Sequence, residues 1–181
     1  SQNKIIGYTT RNSGGVPANF KNYFVMDFDK SFETNYTWRD AILEQDKLEL
    51  KDNHVGATVG FKTKKGEKIN VRVASSFISF EQAGLNLRTE IGKELLEATV
   101  AESKKKWNKG LGKIAVEGGS DEQLKTFYSC LYRTTCFPQK QYEIDSKGKI
   151  IHYSPYNGKV LSGYMYAGTG FWDTFRALYP L

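Results

Sequence analysis

The chain has 181 residues, a formal net charge of +6, a sequence pI near 9.1 and 39% apolar residues. This length suits one domain or parts of two, and the composition excludes a disordered chain, which would combine low hydrophobicity with high net charge. No run of about 18 apolar residues occurs, so we expect no membrane-spanning helix.

The first 80 residues have the pattern of short β-strands. The segments predicted as strands are Ile5–Thr10, Asn22–Phe28, Thr34–Trp38, His54–Phe61 and Lys68–Phe77. The segment TKKGEK separates the last two, and Gly66 within it suits the turn of a β-hairpin. In the last strand Ile69, Val71 and Val73 alternate with polar residues, which predicts a sheet with one face exposed to water. Strands of this kind predict a sandwich of antiparallel sheets.

From about residue 80 the apolar period becomes helical. Leu96, Val100 and Trp107 lie at helical spacing in a segment that ends in a lysine-rich turn. A second helix is predicted after Ser120, which forms a capping-box pattern with Gln123 and precedes an apolar stripe from Leu124 to Tyr132. We therefore predict a mainly β fold with α-helices. Residues 1–117 would form a β-sandwich domain with a linker helix, and residues 118–181 a helical region.

The positive charge has two interpretations. Lysines cluster at residues 62–68 and 104–109, and clustered lysines can bind nucleic acid or simply face solvent. Because no aromatic signature of an RNA-binding module accompanies them, we favour the solvated face and expect no nucleic-acid partner. A basic anion-binding domain is kept as the weaker alternative.

Residues 139–170 are dense in glycine and tyrosine, and a long irregular segment of this kind is often functional. Glu143 and Asp145 alternate on a predicted strand, so they could bind a cation, flank a scissile bond, or face solvent. His152 could act as a general base or as a hydrogen-bonding loop residue. The sequence has no P-loop, GxGxxG, GxSxG or HExxH motif.

The segment GTGFWDTF, residues 168–175, places one carboxylate among aromatic rings. The carboxylate of Asp173 can accept two hydrogen bonds side by side from a vicinal diol, while Trp172 offers an apolar face to a sugar. The alternative is structural: Asp173 would cap a helix that begins at Thr174, and Trp172 would belong to the core.

The C-terminal sequence resembles glycoside hydrolase family 92, the calcium-dependent exo-acting α-mannosidases found largely in Bacteroidetes-type bacteria. The resemblance is strong over about residues 118–181, where LYR, HYSPYNGKV and GFWDTFRA occur in this order, and weaker over residues 1–117. It implies a β-sandwich domain, a helical linker and a catalytic (α/α)6 barrel whose start is residues 118–181. It also implies an inverting mechanism that uses two carboxyl groups.

The resemblance further implies a substrate-binding role for Gly170, Phe171, Trp172 and Asp173, which match family positions lining the terminal-mannose subsite. Asp173 would hydrogen-bond sugar hydroxyls, Trp172 would pack on the sugar, and the other two would shape the wall. Family members run to several hundred residues. The catalytic acid, the base and most calcium ligands are therefore expected outside this sequence, and we assign no catalytic residue to it.

These implications define the expected biology. The chain would be an inactive fragment of an exported enzyme, periplasmic or at the cell surface, that acts on terminal α-mannosides of glycans. It would self-associate or need the rest of the barrel, because the apolar stripe of the second helix would otherwise be uncovered. The alternative is a non-catalytic carbohydrate-binding sandwich module.

Overall fold

The computed structural model of the protein describes residues 3–44, 47–170 and 174–175. They fall into two units, one formed by residues up to 90 except 15–18, and the other by residues 15–18 and those from 91 onward. The strands before residue 80 are, in chain order, β1 (Lys4–Thr9), β2 (Asn22–Phe28), β3 (Thr34–Arg39), β4 (Ile42–Glu44), β5 (Val55–Gly60) and β6 (Val71–Ser76). They are followed by the helix α1 (Phe80–Asn86) and a π-helical turn at Leu87–Ile91.

Two antiparallel sheets build the first unit. One has the strand order β1-β2-β6 and the other the order β4-β3-β5. The rings of Phe28, Phe32 and Phe61 pack against one another with centroids between 5.2 and 5.6 Å apart. Because Phe28 belongs to β2 and Phe61 directly follows β5, this aromatic cluster joins the two sheets as the core of a sandwich does.

Helix α1 covers the other side of the first sheet. Ser79 caps it by accepting a hydrogen bond from the Gln82 backbone N–H at 3.1 Å. Phe80 places its ring 4.9 Å from that of Tyr23 on β2, and Ala83 is fully buried. The buried amide of Asn86 donates to the Ser75 carbonyl at 3.0 Å. The helix is therefore held by both ring packing and a satisfied polar contact.

Two strand glycines are needed for close packing rather than for backbone freedom. Gly56 pairs with Trp38 across β3 and β5, and a Cβ atom at Gly56 would lie 2.3 Å from Trp38 Cζ2. Gly7 pairs with Phe24 in the same way, with a distance of 2.5 Å to Phe24 Cζ. In both pairs the ring lies over the glycine of the neighbouring strand, which fixes the ring orientation.

The predicted hairpin between β5 and β6 is wrong. Gly66 does occupy a turn with positive φ, and the Glu67 N–H donates to the Lys64 carbonyl at 3.0 Å. However, β5 pairs with β3 and β6 pairs with β2, so the turn passes from one sheet to the other. A turn signal specifies a local reversal of the chain and leaves the pairing partner open.

The alternation predicted in β6 is present, but its apolar side chains are the more exposed ones. Val71 and Val73 are 45% and 47% exposed, whereas Arg72 is half-buried. The Arg72 guanidinium lies 3.1 Å from the carboxylate of Asp27, its partner in the register of β2 and β6. This ion pair lets the charged side chains be half-buried, because each charge has a partner.

The second unit begins with two helices, α2 (Leu96–Leu111) and α3 (Asp121–Thr134). The capping box predicted for Ser120 and Gln123 is confirmed, with both reciprocal hydrogen bonds present. The rings of Trp107 and Tyr132 join the helices at a centroid distance of 4.7 Å. No residue of α2 or α3 is buried, so the apolar stripe of α3 is only partly covered.

Short strands complete this unit. They are β7 (Gln139–Lys140), β8 (Glu143–Ile144), β9 (Ile150–Tyr153), β10 (Val160–Ser162) and β11 (Tyr166–Ala167). β8, β9 and β10 form one antiparallel sheet with β9 in the centre, while β7 and β11 form a separate two-stranded ribbon.

The predicted fold class is confirmed: antiparallel sheets that form a β-sandwich are followed by helices. The division into domains 1–117 and 118–181 stays a prediction. Within the described part of the chain, no helix has both the length and the apolar character that crossing a membrane requires.

Candidate functional site

The ribbon of β7 and β11 gathers a lysine and three tyrosine side chains on one face. Lys140 pairs with Tyr166, and the Gln141 N–H donates to the Met165 carbonyl at 2.9 Å. Continuing this register places Tyr142 opposite Tyr164. Because side chains of a strand alternate between its faces, Lys140 and the three tyrosines share one face of the ribbon.

We call Tyr142, Tyr164 and Tyr166 the tyrosine platform. The rings of Tyr164 and Tyr166 are nearly parallel, with an interplanar angle of 12° and centroids 6.5 Å apart. Tyr142 meets both rings edge-on, at centroid distances of 4.8 Å from Tyr164 and 5.6 Å from Tyr166. The edge contacts fix the direction in which the two parallel rings face.

Two of the three rings of the tyrosine platform are exposed. Tyr164 is 63% exposed and Tyr166 is 55% exposed, whereas Tyr142 is half-buried. On the opposite face of the ribbon, Gln141, Met165 and Ala167 are half-buried. Two large rings thus occupy the more exposed face, which is the reverse of the arrangement that burial alone would favour.

A lysine and a hydrogen bond act on the rings of the platform. The Lys140 Nζ lies 4.7 Å from the centroid of the Tyr142 ring, within the range of a cation–π contact. A hydrogen bond with the Tyr142 hydroxyl raises the pKa of Tyr166, and the nearby Lys140 acts weakly in the opposite direction. At neutral pH the Tyr166 hydroxyl is therefore protonated, and its one O–H group is already engaged with Tyr142.

The lead-in to the predicted mannose wall is partly described. Gly168 has a φ of +87°, and a Cβ there would lie 3.1 Å from the Phe137 ring, so this position requires glycine. Thr169 Oγ1 is buried and has no hydrogen-bond partner among the described residues. Gly170 is exposed, and a Cβ at this position would meet open space.

The central residues of the predicted wall, Phe171, Trp172 and Asp173, lie outside the described residues. Their roles stay predictions. On their C-terminal side, the Thr174 hydroxyl donates to the Gly170 carbonyl at 2.8 Å.

The other candidates from the sequence have structural contacts. Asp145 Oδ1 accepts hydrogen bonds from the backbone N–H groups of Lys147 and Lys149, both at 2.8 Å. The bond from Lys149 is the main cause that lowers the pKa of Asp145. This carboxylate therefore stabilises the turn between β8 and β9, and its hydrogen bonds disfavour a role as a proton donor.

The two histidines also make local contacts. His152 Nδ1 lies 2.9 Å from the Gly163 carbonyl, which accepts its hydrogen bond and supports the interpretation of a hydrogen-bonding residue. His54 Nδ1 lies 3.0 Å from the Asp40 carboxylate, at the exposed end of β5.

Among residues 3–44, 47–170 and 174–175, no group of three or more histidine, cysteine, aspartate or glutamate side chains could hold a metal ion.

The tyrosine platform was not predicted from the sequence as a unit. The segment 139–170 was predicted to be functional because it is rich in rings. Within it Lys140 and Tyr142 are two positions apart, and so are Tyr164 and Tyr166, so the members of each pair share a strand face. The register between β7 and β11 is what unites them, because it pairs residues that are 22 to 26 positions apart.

Comparison with known families gives two matches that together span most of the chain. The model of the glycosyl hydrolase family 92 N-terminal domain matches residues 1–76, and the model of the family 92 catalytic domain matches residues 82–181. No curated protein matches the chain.

Solved structures extend this similarity to three dimensions. A family GH92 inverting mannosidase from Bacteroides thetaiotaomicron VPI-5482 is 44% identical, matches 99% of this chain and has a TM-score of 0.95. A family GH92 alpha-mannosidase from Bacteroides thetaiotaomicron, solved also in complex with mannoimidazole, is 23% identical with a TM-score of 0.79, which shows a shared fold. In each case the match covers 24% of the solved chain, so this chain spans about a quarter of their length.

Proposed function

The chain belongs to glycosyl hydrolase family 92, and from this premise we propose that it is the N-terminal part of an inverting exo-acting α-mannosidase. The observation that carries the proposal is the 44% identity to an inverting mannosidase over 99% of this chain. The substrate would be the terminal α-mannosyl residue of a glycan. The protein would be exported, to the periplasm or the cell surface, where such glycans are met.

Inversion requires two carboxyl groups about 6.5–9.5 Å apart, one to protonate the leaving oxygen and one to activate water. Asp145 is unsuitable because its oxygen is held by two backbone N–H groups of its own turn. We place both catalytic carboxyl groups, and the ligands of a calcium ion, in the part of the enzyme that this chain does not span. The chain alone is then inactive, and its helices need the rest of the barrel or a second copy to cover their apolar faces.

We assign to this chain one wall of the terminal-mannose subsite, formed by Gly170, Phe171, Trp172 and Asp173. Gly170 supports the assignment, because neither a positive φ nor packing against the described residues requires a glycine there. A glycine in such a place lets a ligand approach the backbone closely. The carboxylate of Asp173 would accept hydrogen bonds from two adjacent hydroxyls, and Trp172 would cover the apolar side of the sugar.

The test uses the full-length enzyme and an aryl α-mannoside. Asp173→Ala should lower kcat/KM by at least about a hundred-fold, the range expected when a charged hydrogen-bond partner of the substrate is lost. Asp173→Ser is the matched control, because serine preserves a helix cap but removes the carboxylate. Restored activity in Asp173→Ser would assign Asp173 to capping instead. Proton NMR of the first product should show β-mannose if the enzyme inverts.

A non-catalytic carbohydrate-binding module is the second candidate, and the exposed tyrosine platform is the observation that favours it. Calorimetry of the 181-residue chain with mannose oligosaccharides separates the two candidates. A self-sufficient module binds tightly alone, whereas one wall of a cleft binds weakly. Turnover of the aryl mannoside by this chain alone would contradict our placement of the catalytic groups.

A further inference from the structure

We propose that the tyrosine platform is a second carbohydrate subsite, which binds the sugar that follows the terminal mannose. This inference rests on the proposed function and deepens it, because it assigns recognition of the next sugar to Tyr142, Tyr164 and Tyr166. The platform residues are different from those of the proposed wall, residues 170–173.

The rings of the tyrosine platform are preorganised. Tyr164 and Tyr166 present parallel rings that Tyr142 braces from the side through two edge contacts. A ligand that packs on these rings does not need to order them first, so little binding free energy is lost to side-chain entropy. Flat apolar faces with polar tips suit a sugar, which has C–H groups on its faces and hydroxyls around its rim.

The two faces of the ribbon differ in exposure, and the large rings lie on the more exposed one. The half-buried face holds Gln141, Met165 and Ala167, while two large rings stay more than half exposed on the other face. Rings that contribute this little to a core form an apolar surface that suits a ligand. The same chain offers a contrast in Phe28, whose ring is buried between sheets.

A lysine lies beside the rings of the platform. Lys140 places its ammonium over the Tyr142 ring, so the face of that ring is already occupied by a cation. A cationic ligand is therefore repelled, whereas a neutral polyol can accept a hydrogen bond from the ammonium. This charge disfavours a cationic ligand and is compatible with a neutral sugar.

The platform is close along the chain to the predicted wall. Gly170 follows Tyr166 by four residues, so their Cα atoms are at most about 14 Å apart. One oligosaccharide can thus contact both places. The terminal sugar would meet residues 170–173 and the next sugar would lie on the platform.

The experiment measures the affinity of the full-length enzyme for two ligands that it cannot cleave. One is methyl α-thiomannoside, a single sugar, and the other is a thio-linked α-mannobiose. Tyr164→Ala and Tyr166→Ala should each weaken disaccharide binding about ten-fold and change single-sugar binding less than about two-fold. Tyr164→Phe and Tyr166→Phe retain the rings and should stay within about three-fold of the wild type.

Tyr156→Ala is the matched control, because Tyr156 is the most exposed tyrosine of the described residues and lies outside the platform. It should leave both affinities unchanged. Equal losses for the two ligands, or no loss for either, would overturn the platform and leave the α-mannosidase proposal standing. If the wild-type enzyme neither binds these ligands nor hydrolyses α-mannosides, the proposed function fails and the platform fails with it.

A second measurement covers the case of alanine variants that do not fold. Magnetisation transfer in NMR should connect the ring protons of Tyr164 and Tyr166 with protons of the second sugar in the wild-type complex. Rings that are covered by another part of the full-length enzyme would show transfer to protein protons only, which would refute the subsite.

Discussion

The two units of the protein differ in what they bury. The first buries Val25, Phe28, Ala83 and Leu87. In the second, Ser154 is the one residue among those described that is buried, and the apolar stripe of α3 is only half-buried. Within this chain, which spans about a quarter of the length of its solved relatives, the first unit thus has the larger core. The tyrosine platform belongs to the unit with the smaller core.

The largest effect expected from this contrast is on stability. Phe28→Ala should lower the free energy of unfolding by about 3–5 kcal/mol, because it removes a ring 91% buried between the sheets. Trp107→Ala in α2 should cost only about 1 kcal/mol, because Trp107 is 41% exposed and loses mainly its contact with Tyr132. Urea unfolding followed by circular dichroism measures both. Similar losses for the two variants would mean that the second unit has an equally important core.

Two glycine substitutions, one in each unit, should change the free energy of unfolding by smaller amounts. Gly56→Ala should destabilise the protein by about 1–3 kcal/mol, because the new Cβ would overlap the Trp38 ring. Gly110→Ala in α2 should instead be neutral or stabilise by up to about 1 kcal/mol, because a Cβ there meets open space and alanine favours helix. Thermal unfolding of the two variants should therefore shift in opposite directions. A loss in Gly110→Ala as large as that in Gly56→Ala would reveal hidden packing around α2.

The smallest effect expected is a pH dependence in the first unit. Hydrogen bonds from Lys47 and then Arg39 lower the pKa of Glu44, while the Asn53 N–H and then Arg39 lower the pKa of Asp52. A carboxylate with a lowered pKa in the folded state adds stability above its unfolded pKa and loses it as the pH falls through the folded one. We therefore expect the free energy of unfolding to fall below about pH 4.

Arg39→Gln provides the control for this pH effect. The guanidinium lies 3.0 Å from both Glu44 and Asp52, so its removal should flatten the acid dependence relative to the wild type. Added salt should weaken the wild-type dependence, because the network is exposed and screened by ions. An Arg39→Gln profile parallel to that of the wild type would show that the network contributes nothing measurable.

Local sequence rules predicted the positions of strands and helices better than they predicted which strands pair with one another. The predicted strand Asn22–Phe28 coincides with β2, and the capping box at Ser120 begins α3 as expected. Both signals depend on residues a few positions apart, where period and capping act directly. The hairpin at Gly66 was wrong because sheet pairing depends on residues far along the chain.

The candidate site, too, could be predicted only in part from the sequence. The resemblance identified the family, which the family models confirm, and it proposed residues 170–173 as a wall of the mannose subsite. The tyrosine platform needed the register of β7 and β11, which brings Tyr142 next to Tyr164. Composition marked the segment as rich in rings, but it did not indicate which rings would be parallel or which face would be exposed.

The sequence by itself determined the period of each strand and helix, the start of α3 and the family, because these depend on neighbouring residues or on short motifs. The tertiary structure decided that Val71 stays exposed while Arg72 pairs with Asp27, and that three tyrosines form one cluster in which two rings are exposed. The physical reason is that alternating apolar and polar residues make the two faces of a strand different but do not specify which face is covered. That choice depends on the free energy of packing against distant parts of the chain.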